Sequence, residues 1–240
     1  MKVASYNIHK CRGADGMTRP DRIVEVIREL GADVVALQEV DRRFGRRGGL
    51  LDPLAIERET GMRLLVQSDV SHRHGWHGNA LLVRNNPISY TRSRLKLPGR
   101  EPRGAVVAEL DLGDGEFRVI AAHLGLFRLS RVDQVDAILA AFHDLPAMPT
   151  ILLGDLNEWR RNRRSALRGL EPTFGFPPSI LSYPSRRPIF PLDRILGWPA
   201  GLITDLAVHD TPLARRSSDH LPLTAKVNLM AATPAERIAA

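Results

Sequence analysis

The chain has 240 residues, of which 43% are hydrophobic and 25% are charged, so it can bury a substantial core and is not disordered throughout. Its net charge of +7 favours an anionic partner such as nucleic acid, a phosphorylated metabolite or an acidic membrane surface. The same bias can equally reflect coding preference, because nearly all the basic residues are arginine. Cys11 is the only cysteine, which excludes an intrachain disulfide and a cysteine-based zinc site.

The beginning of the chain has no long apolar stretch of the signal-peptide kind, and no window is long and apolar enough to cross a bilayer. We therefore expect a cytoplasmic protein, with no obligate protein partner and a monomeric state. The absence of repeats and low-complexity linkers predicts one domain over residues 1–228, followed by a C-terminal tail at 229–240.

The first elements in chain order are two strands and two helices. A strand is predicted at residues 3–8, and a helix at 20–30 carries its apolar residues at helical spacing and ends before Gly31. Residues 33–38 contain a continuous apolar run, which indicates a buried strand. A second helix is predicted at 51–60.

The remaining pattern is dominated by short strands. A series of strands separated by Gly, Pro and Asn is predicted at 63–67, 79–84, 88–95, 105–110 and 117–122. A helix at 130–143 and a buried strand at 151–153 follow, and the proline-rich stretch 171–191 is predicted to be an ordered loop without helix. The last strands are predicted at 192–196, 202–208 and 221–227. Many strands with a few long helices favour two packed sheets flanked by helices.

Polar residues suited to chemistry occur repeatedly at the ends of these apolar strands, namely Asn7, Glu39, His123, Asp155, Asn157, Asp219 and His220. A rigid scaffold can aim side chains in such positions into one cleft. Oxygen ligands without cysteine favour Mg²⁺ or Mn²⁺, and histidines that pair with carboxylates supply proton transfer near neutral pH. Each residue taken alone also has a structural explanation, as a turn residue or a hydrogen-bonded histidine.

Taken in order, the segments around these residues resemble the endonuclease/exonuclease/phosphatase superfamily, which has the deoxyribonuclease I-like fold. The matching segments are Tyr6-Asn7-Ile8-His9, Leu37-Gln38-Glu39-Val40, Gly78-Asn79-Ala80, Arg103-Gly104-Ala105, His123-Leu124-Gly125, Gly154-Asp155-Leu156-Asn157, Leu192-Asp193-Arg194 and Ser218-Asp219-His220. The resemblance runs from residue 5 to about residue 227 and has the character of short bacterial members of unassigned substrate. It implies a four-layer α/β/β/α sandwich of two packed mixed sheets flanked by helices.

The resemblance also implies which residues hold a metal ion and the phosphate. Glu39 would be the principal carboxylate ligand of Mg²⁺ or Mn²⁺, with Asn7 completing or orienting its ligand shell and Asp219 near the same ion. Asn79 and Arg103 would contact the phosphate of the substrate, because a guanidinium can bind two phosphate oxygens at once. The neighbouring arginine at position 100 is an alternative to Arg103.

The catalytic roles implied by the resemblance fall on five residues. His220, oriented by Asp193, would polarise the attacking water or stabilise the transferring phosphoryl oxygens. Asp155 would position the nucleophile, and Asn157 and His123 would hydrogen-bond the phosphate. The implied activity is that of a metal-dependent phosphoesterase in which an activated water attacks phosphorus in line.

Three functions remain open at this point. The first is hydrolysis of a small or lipid-linked phosphodiester, for which the apolar, proline-rich stretch 174–190 offers a surface that could meet a membrane. The second is a DNA or RNA nuclease, for which Trp159 could supply stacking and six arginines could supply charge, namely Arg160, Arg161, Arg163, Arg164, Arg186 and Arg187. The third is a non-catalytic phosphate- or nucleic-acid-binding protein, which is disfavoured because every element required for the chemistry is present.

Overall fold

The computed structural model describes residues 1–41, 49–65, 77–84 and 87–230. The strands in these residues are β1 Lys2–Asn7, β2 Val34–Gln38, β3 Met62–Leu65, β4 Ala80–Arg84, β5 Ser89–Leu97, β6 Arg103–Asp111, β7 Glu116–His123, β8 Thr150–Asp155, β9 Asp193–Trp198, β10 Ile203–Val208 and β11 Leu223–Val227. The helices are α1 Pro20–Leu30, α2 Pro53–Thr60, α3 Arg128–Asp144, α4 Glu171–Phe174 and α5 Pro212–Ser217, with 3-10 turns at His9–Cys11 and Ala166–Leu170.

The strands form two mixed sheets. The first sheet has six strands in the order β10-β11-β1-β2-β4-β3, and the second has five in the order β5-β6-β7-β8-β9. One pair in each sheet is parallel, β1 with β2 and β7 with β8, and the other pairs are antiparallel. Parallel neighbours are buried on both faces, which explains the continuous apolar runs that these strands show in the sequence.

Successive side chains of a strand point to opposite faces of its sheet, so each strand contributes side chains to two different core layers. In β1, Val3 belongs to the core between the two sheets, whereas Tyr6 belongs to the core that contains the buried face of α1. In β8, Ile151 and Leu153 face the first sheet, whereas Leu152 packs in the core shared with α3. Each buried side chain of this size stabilises the fold by roughly 1.5–3 kcal/mol. The predicted α/β/β/α sandwich of mixed sheets is confirmed.

Two short helices differ from the sequence prediction. The stretch predicted to lack helix begins with α4, in which Pro172 occupies the first turn, where its missing N–H is not needed. Helix α5 was not predicted; it begins after Thr211, whose side chain accepts a hydrogen bond from the backbone N–H of Ala214 at 3.1 Å. Both helices are too short to show an apolar period, so only a proline in the first turn signals α4, and a proline with the Thr211 cap signals α5.

Parts of two predicted segments lie outside the described residues, namely the end of the strand at 63–67 and most of the tail at 229–240. Among the helices that the structure describes, none has the length and apolar character needed to span a bilayer.

Candidate active site

Three neighbouring strands of the second sheet bring polar side chains to one edge. His123 at the end of β7 lies opposite Asp155 at the end of β8, and Asp155 lies opposite Asp193 at the start of the antiparallel β9. The close pairing of β7 with β8 at this point requires a glycine at position 154. The φ of Gly154 is +147°, and a Cβ there would lie 1.8 Å from the carbonyl oxygen of Ala122. The register of the sheet therefore places an imidazole and two carboxylates side by side.

His220 completes a buried cluster with the two carboxylates. Its Nδ1 lies 2.9 Å from Asp193 Oδ2, which also accepts a hydrogen bond from the Ser182 hydroxyl at 2.5 Å. Its Nε2 lies 3.8 Å from Asp155 Oδ2, and its ring packs against Tyr183 with the centroids 4.8 Å apart. Because Asp193 orients the ring through Nδ1, the Nε2 side is presented to Asp155.

Asp155 connects the two sheets. Its Oδ2 accepts a hydrogen bond from Asn7 Nδ2 at 2.9 Å and lies 3.4 Å from His123 Nε2. Its Oδ1 accepts the backbone N–H of Asn157 at 3.0 Å, and Asn157 Nδ2 donates to the carbonyl of Leu124 at 2.9 Å. Since Asn7 belongs to the first sheet, the geometry of this contact depends on how the two sheets pack.

The electrostatics of the buried cluster are set by burial and by the crowding of two carboxylates. Burial raises the pKa of Asp155, and the nearby charge of Asp193 raises it further, against the opposing effects of His220 and Asn7. Burial alone would lower the pKa of His220, but the carboxylates of Asp193 and Asp155 outweigh it and raise that pKa on balance. The cluster therefore favours an imidazolium and a carboxylate that accepts a proton more readily than an ordinary aspartate.

The carboxylates at the rim of the cluster are more accessible. The side chain of Glu39 is 23% exposed and carries the ammonium group of Lys10 on Oε2; Asp219 is 31% exposed and lies 3.5 Å from His9 Nδ1. Burial alone would raise the pKa of Glu39, but Lys10, with smaller effects from His9 and Arg103, lowers it on balance. Glu39 is therefore held as an anion at a point that ions from solvent can reach.

Arg103 borders the cluster on the side of the second sheet. Its Nη1 lies 3.0 Å from His123 Nε2, and Glu101 holds its Nη2 at 2.8 Å, whereas Arg100 is exposed. Asn79 is fully buried, and its Nδ2 donates at 2.8 Å to the carbonyl of the residue after Arg103. Direct contacts thus join seven of the ten residues singled out in the sequence, whereas Glu39, Asp219 and Asn79 are linked to them through neighbouring residues. The roles of all ten stay predictions.

Two sets of side chains offer ligands to a metal ion. Asp155, Asp193 and His220 present ligand atoms that all lie within 4.8 Å of one another, an arrangement that can hold an ion. Metal binding by these three residues is disfavoured by the hydrogen bond between Asp193 and His220 and by the burial of all three side chains. The ligands implied by the resemblance, Glu39 with Asn7 and Asp219, lie instead at the more open rim.

Several residues of the network were not singled out in the sequence. Lys10 has a weak signal, as one of only four lysines, directly after the Asn7-Ile8-His9 segment. It also belongs to a run of three non-glycine residues with positive φ, at positions 9 to 11, which marks a constrained backbone. Ser182 and Glu101 carry no sequence signal, because only the folded chain brings them to Asp193 and Arg103.

Solved structures share the fold of this chain. A protein of the endonuclease/exonuclease/phosphatase group from Beutenbergia cavernae is 22% identical, with a TM-score of 0.67 and coverage of 95% of this chain and 72% of that one. A functionally unknown conserved protein from Enterococcus faecalis is 20% identical, with a TM-score of 0.70 and coverage of 95% and 99%. A mannosyl-6-phosphatase from Bacteroides thetaiotaomicron is 15% identical, with a TM-score of 0.68 and coverage of 95% and 99%.

No curated protein matches the sequence. The Endonuclease/Exonuclease/phosphatase family model matches residues 4–220, a span that reaches from β1 to the end of the buried cluster. Members of this family are generally hydrolytic on phosphoester bonds. The chain therefore belongs to the endonuclease/exonuclease/phosphatase family.

Proposed function

We propose that the protein is a divalent-metal-dependent phosphodiesterase, which hydrolyses a P–O bond of a small or lipid-linked phosphodiester by in-line attack of an activated water. The observation that carries the proposal is the pairing of two unlike groups of side chains. The buried Asp155–His220–Asp193 cluster stands next to the accessible carboxylates of Glu39 and Asp219, so that proton transfer and cation binding have separate partners.

The donor set at the rim fits Mg²⁺ or Mn²⁺. Glu39 and Asp219 offer carboxylate oxygens, and Asn7 Oδ1, which accepts the backbone N–H of His9 at 3.0 Å, keeps a second lone pair. An ion at Glu39 would displace the ammonium of Lys10, which occupies Oε2, and Lys10 is itself 37% exposed, so its side chain can turn to solvent. When bound, the ion would neutralise charge on the phosphate and on the leaving oxygen.

The buried cluster supplies the proton chemistry. Asp193 fixes the tautomer and orientation of His220, whose imidazolium then donates a hydrogen bond to a phosphoryl oxygen. Asp155 accepts the proton of the attacking water, a role that suits a buried carboxylate with a raised pKa. Asn7 holds Asp155 in place through its 2.9 Å hydrogen bond and connects it to the ion-binding rim.

Arg103 and His123 bind the phosphate at the side of the site that the second sheet forms. The contact of Arg103 with Glu101 holds the guanidinium plane, and a fixed guanidinium can engage two phosphate oxygens. Asn79 and Asn157 donate through Nδ2 to backbone carbonyls, so we assign them to holding the segments that carry Arg103 and Asp155. This differs from the phosphate-binding role that the resemblance implies for the two amides.

The test compares hydrolysis of bis-p-nitrophenyl phosphate with that of p-nitrophenyl phosphate, each with Mg²⁺, with Mn²⁺ and with excess chelator. We expect diester cleavage that the chelator abolishes and that either ion restores. Hydrolysis of the monoester alone would contradict the diester assignment and indicate a phosphatase. A folded, metal-supplied protein that cleaves neither substrate, nor any phospholipid or oligonucleotide, would contradict the proposed function.

A further inference from the structure

A rim of exposed apolar side chains lies beside the site. We call residues 126–129, 159–164, 176 and 189–190 the docking rim. Most of the large hydrophobic side chains exposed in the described part of the chain belong to it, namely Leu126, Phe127, Leu129, Trp159, Phe176, Ile189 and Phe190. Solvent-exposed apolar side chains are unremarkable singly, but a cluster of them beside a site marks a surface that meets a partner.

The topology explains why these segments share one face. The three main segments leave the second sheet at the ends of β7 and β8 and enter it at the start of β9, the edge that carries His123, Asp155 and Asp193. Direct contacts connect them. Arg128 Nε donates to the carbonyl of Arg164 at 2.7 Å, and the rings of Trp159 and Phe190 lie 6.1 Å apart in an edge-to-face arrangement.

The charge of the rim is positive. Arg128, Arg161, Arg163 and Arg164 are exposed, and the guanidinium of Arg160 lies 4.5 Å from the centroid of the Trp159 ring. The acidic residue that precedes the 159–164 segment, Glu158, is fully buried; it is paired with an arginine of α3 and lies 3.9 Å from Arg160 Nη1, so it can offset the charge of Arg160, whereas Arg128, Arg161, Arg163 and Arg164 stay exposed.

We propose that the docking rim binds the surface of an anionic phospholipid bilayer and so places a lipid headgroup phosphodiester at the active site. Aromatic side chains with exposed leucines favour the boundary between headgroups and acyl chains, and arginines favour anionic headgroups. Leu126, Leu129 and Ile189 are aliphatic and offer no ring for base stacking, which favours a bilayer over a nucleic acid. The lipid substrate rests on the proposed phosphodiesterase function, whereas docking does not.

The first experiment measures binding of the full chain to vesicles of phosphatidylcholine, with and without phosphatidylglycerol, by co-sedimentation. We expect binding only to the anionic vesicles, and binding at least about tenfold weaker for Phe127→Ser/Leu129→Ser. The control is Leu54→Ser/Ile88→Ser. Leu54 and Ile88 are each 74% exposed and Leu129 is 73% exposed, but Ile88 lies at the opposite edge of the second sheet and Leu54 on α2.

A second pair of variants tests the charge. Arg163→Gln/Arg164→Gln is expected to weaken binding about fivefold for each arginine removed, whereas Arg28→Gln/Arg58→Gln, at the exposed faces of α1 and α2, leaves it unchanged. Equal binding of neutral and anionic vesicles, or equal loss in the control variants, would overturn the proposal. Tight binding of a single-stranded oligonucleotide that depends on Phe127 and Leu129, without vesicle binding, would indicate a nucleic-acid surface instead.

Hydrolysis of soluble bis-p-nitrophenyl phosphate separates the two proposals. The rim variants should hydrolyse it at the wild-type rate, because their side chains lie outside the active-site network. Vesicle binding by a wild-type protein that hydrolyses nothing would contradict the proposed function and leave the docking surface in place. Hydrolysis without vesicle binding would overturn the docking surface alone.

Discussion

Asp155 and Glu158 lie three residues apart and are both buried, yet their surroundings differ. The carboxylate of Glu158 accepts backbone N–H groups from Arg160 and Ala166, both at 2.8 Å, and lies 3.4 Å from Arg131 Nη2. Both of its oxygens are therefore hydrogen-bonded, and its charge is balanced by the buried cation of Arg131, with Arg160 Nη1 more distant at 3.9 Å. Such a cluster fixes the loop that follows β8, and it has little left to offer a ligand.

Asp155 instead lies between two imidazoles, that of His123 at 3.4 Å and that of His220 at 3.8 Å, and it shares the imidazole of His220 with the carboxylate of Asp193. The Oδ1 of Asp193 has no hydrogen-bond partner among the described residues. The second cluster therefore keeps hydrogen-bond acceptor capacity that no described side chain uses. Arg131 Nε of the first cluster also lacks a partner in the described part of the chain, but both oxygens of its carboxylate are occupied, whereas the second cluster keeps a free carboxylate oxygen. We therefore assign the first cluster to stability and propose that the second serves chemistry.

The largest effect expected is on catalysis. His220→Gln should lower kcat on bis-p-nitrophenyl phosphate by on the order of 10³–10⁴-fold, because the imidazolium that stabilises the phosphoryl oxygens is lost. The matched control is His209→Gln, since His209 Nε2 also faces a carboxylate, at 3.1 Å from Glu29, but away from the network. Near-wild-type kcat in His220→Gln would remove this residue from the chemistry.

The next effect concerns the ion. We expect Mg²⁺ to raise the melting temperature of the wild-type protein, because an ion that binds only the folded state stabilises it. Glu39→Gln should abolish that rise and lower activity by roughly 10²–10³-fold. Glu25→Gln, at an exposed position on α1, should preserve both. If Asp193→Asn lost the metal-induced rise while Glu39→Gln kept it, the ion would belong to the buried Asp155–Asp193–His220 set.

A substitution in the cluster around Glu158 should lower the stability of the fold. Arg131→Met leaves the carboxylate of Glu158 buried without its cation, and we expect the free energy of unfolding to fall by about 3 kcal/mol. Activity of the folded fraction on the soluble diester should change little. Denaturant unfolding measures the first quantity, with Arg58→Met at an exposed position of α2 as the control. A collapse of activity at unchanged stability would place Arg131 in the active site.

The smallest expected effect is on kcat/KM, and it distinguishes Arg103 from Arg100. Arg103→Lys keeps the positive charge but loses the planar guanidinium that can bind two phosphate oxygens at once, so we expect kcat/KM to fall by about tenfold. Arg100→Lys should leave kcat/KM unchanged, because Arg100 is exposed and Arg103 is the residue that reaches His123. The reverse order of effects in steady-state kinetics would transfer the phosphate contact to Arg100.

The long elements of the fold could be predicted because their signals are local. Helix α1 occupies the predicted residues 20–30, since Pro20 fits its first turn and Gly31, with φ of +54°, ends it in the left-handed conformation. The short helices α4 and α5 were not predicted, because four or six residues are too few for an apolar period to show.

By itself the sequence determined the class of fold, through continuous apolar runs and helical spacing, and the candidate site residues, through short segments at strand ends that resemble one family. Only the tertiary structure decided which side chains meet. The contacts of Asn7 with Asp155, of Ser182 with Asp193 and of Lys10 with Glu39 depend on strand register and on the packing of the two sheets. No local pattern encodes those distances, because they are set jointly by residues far apart in the chain.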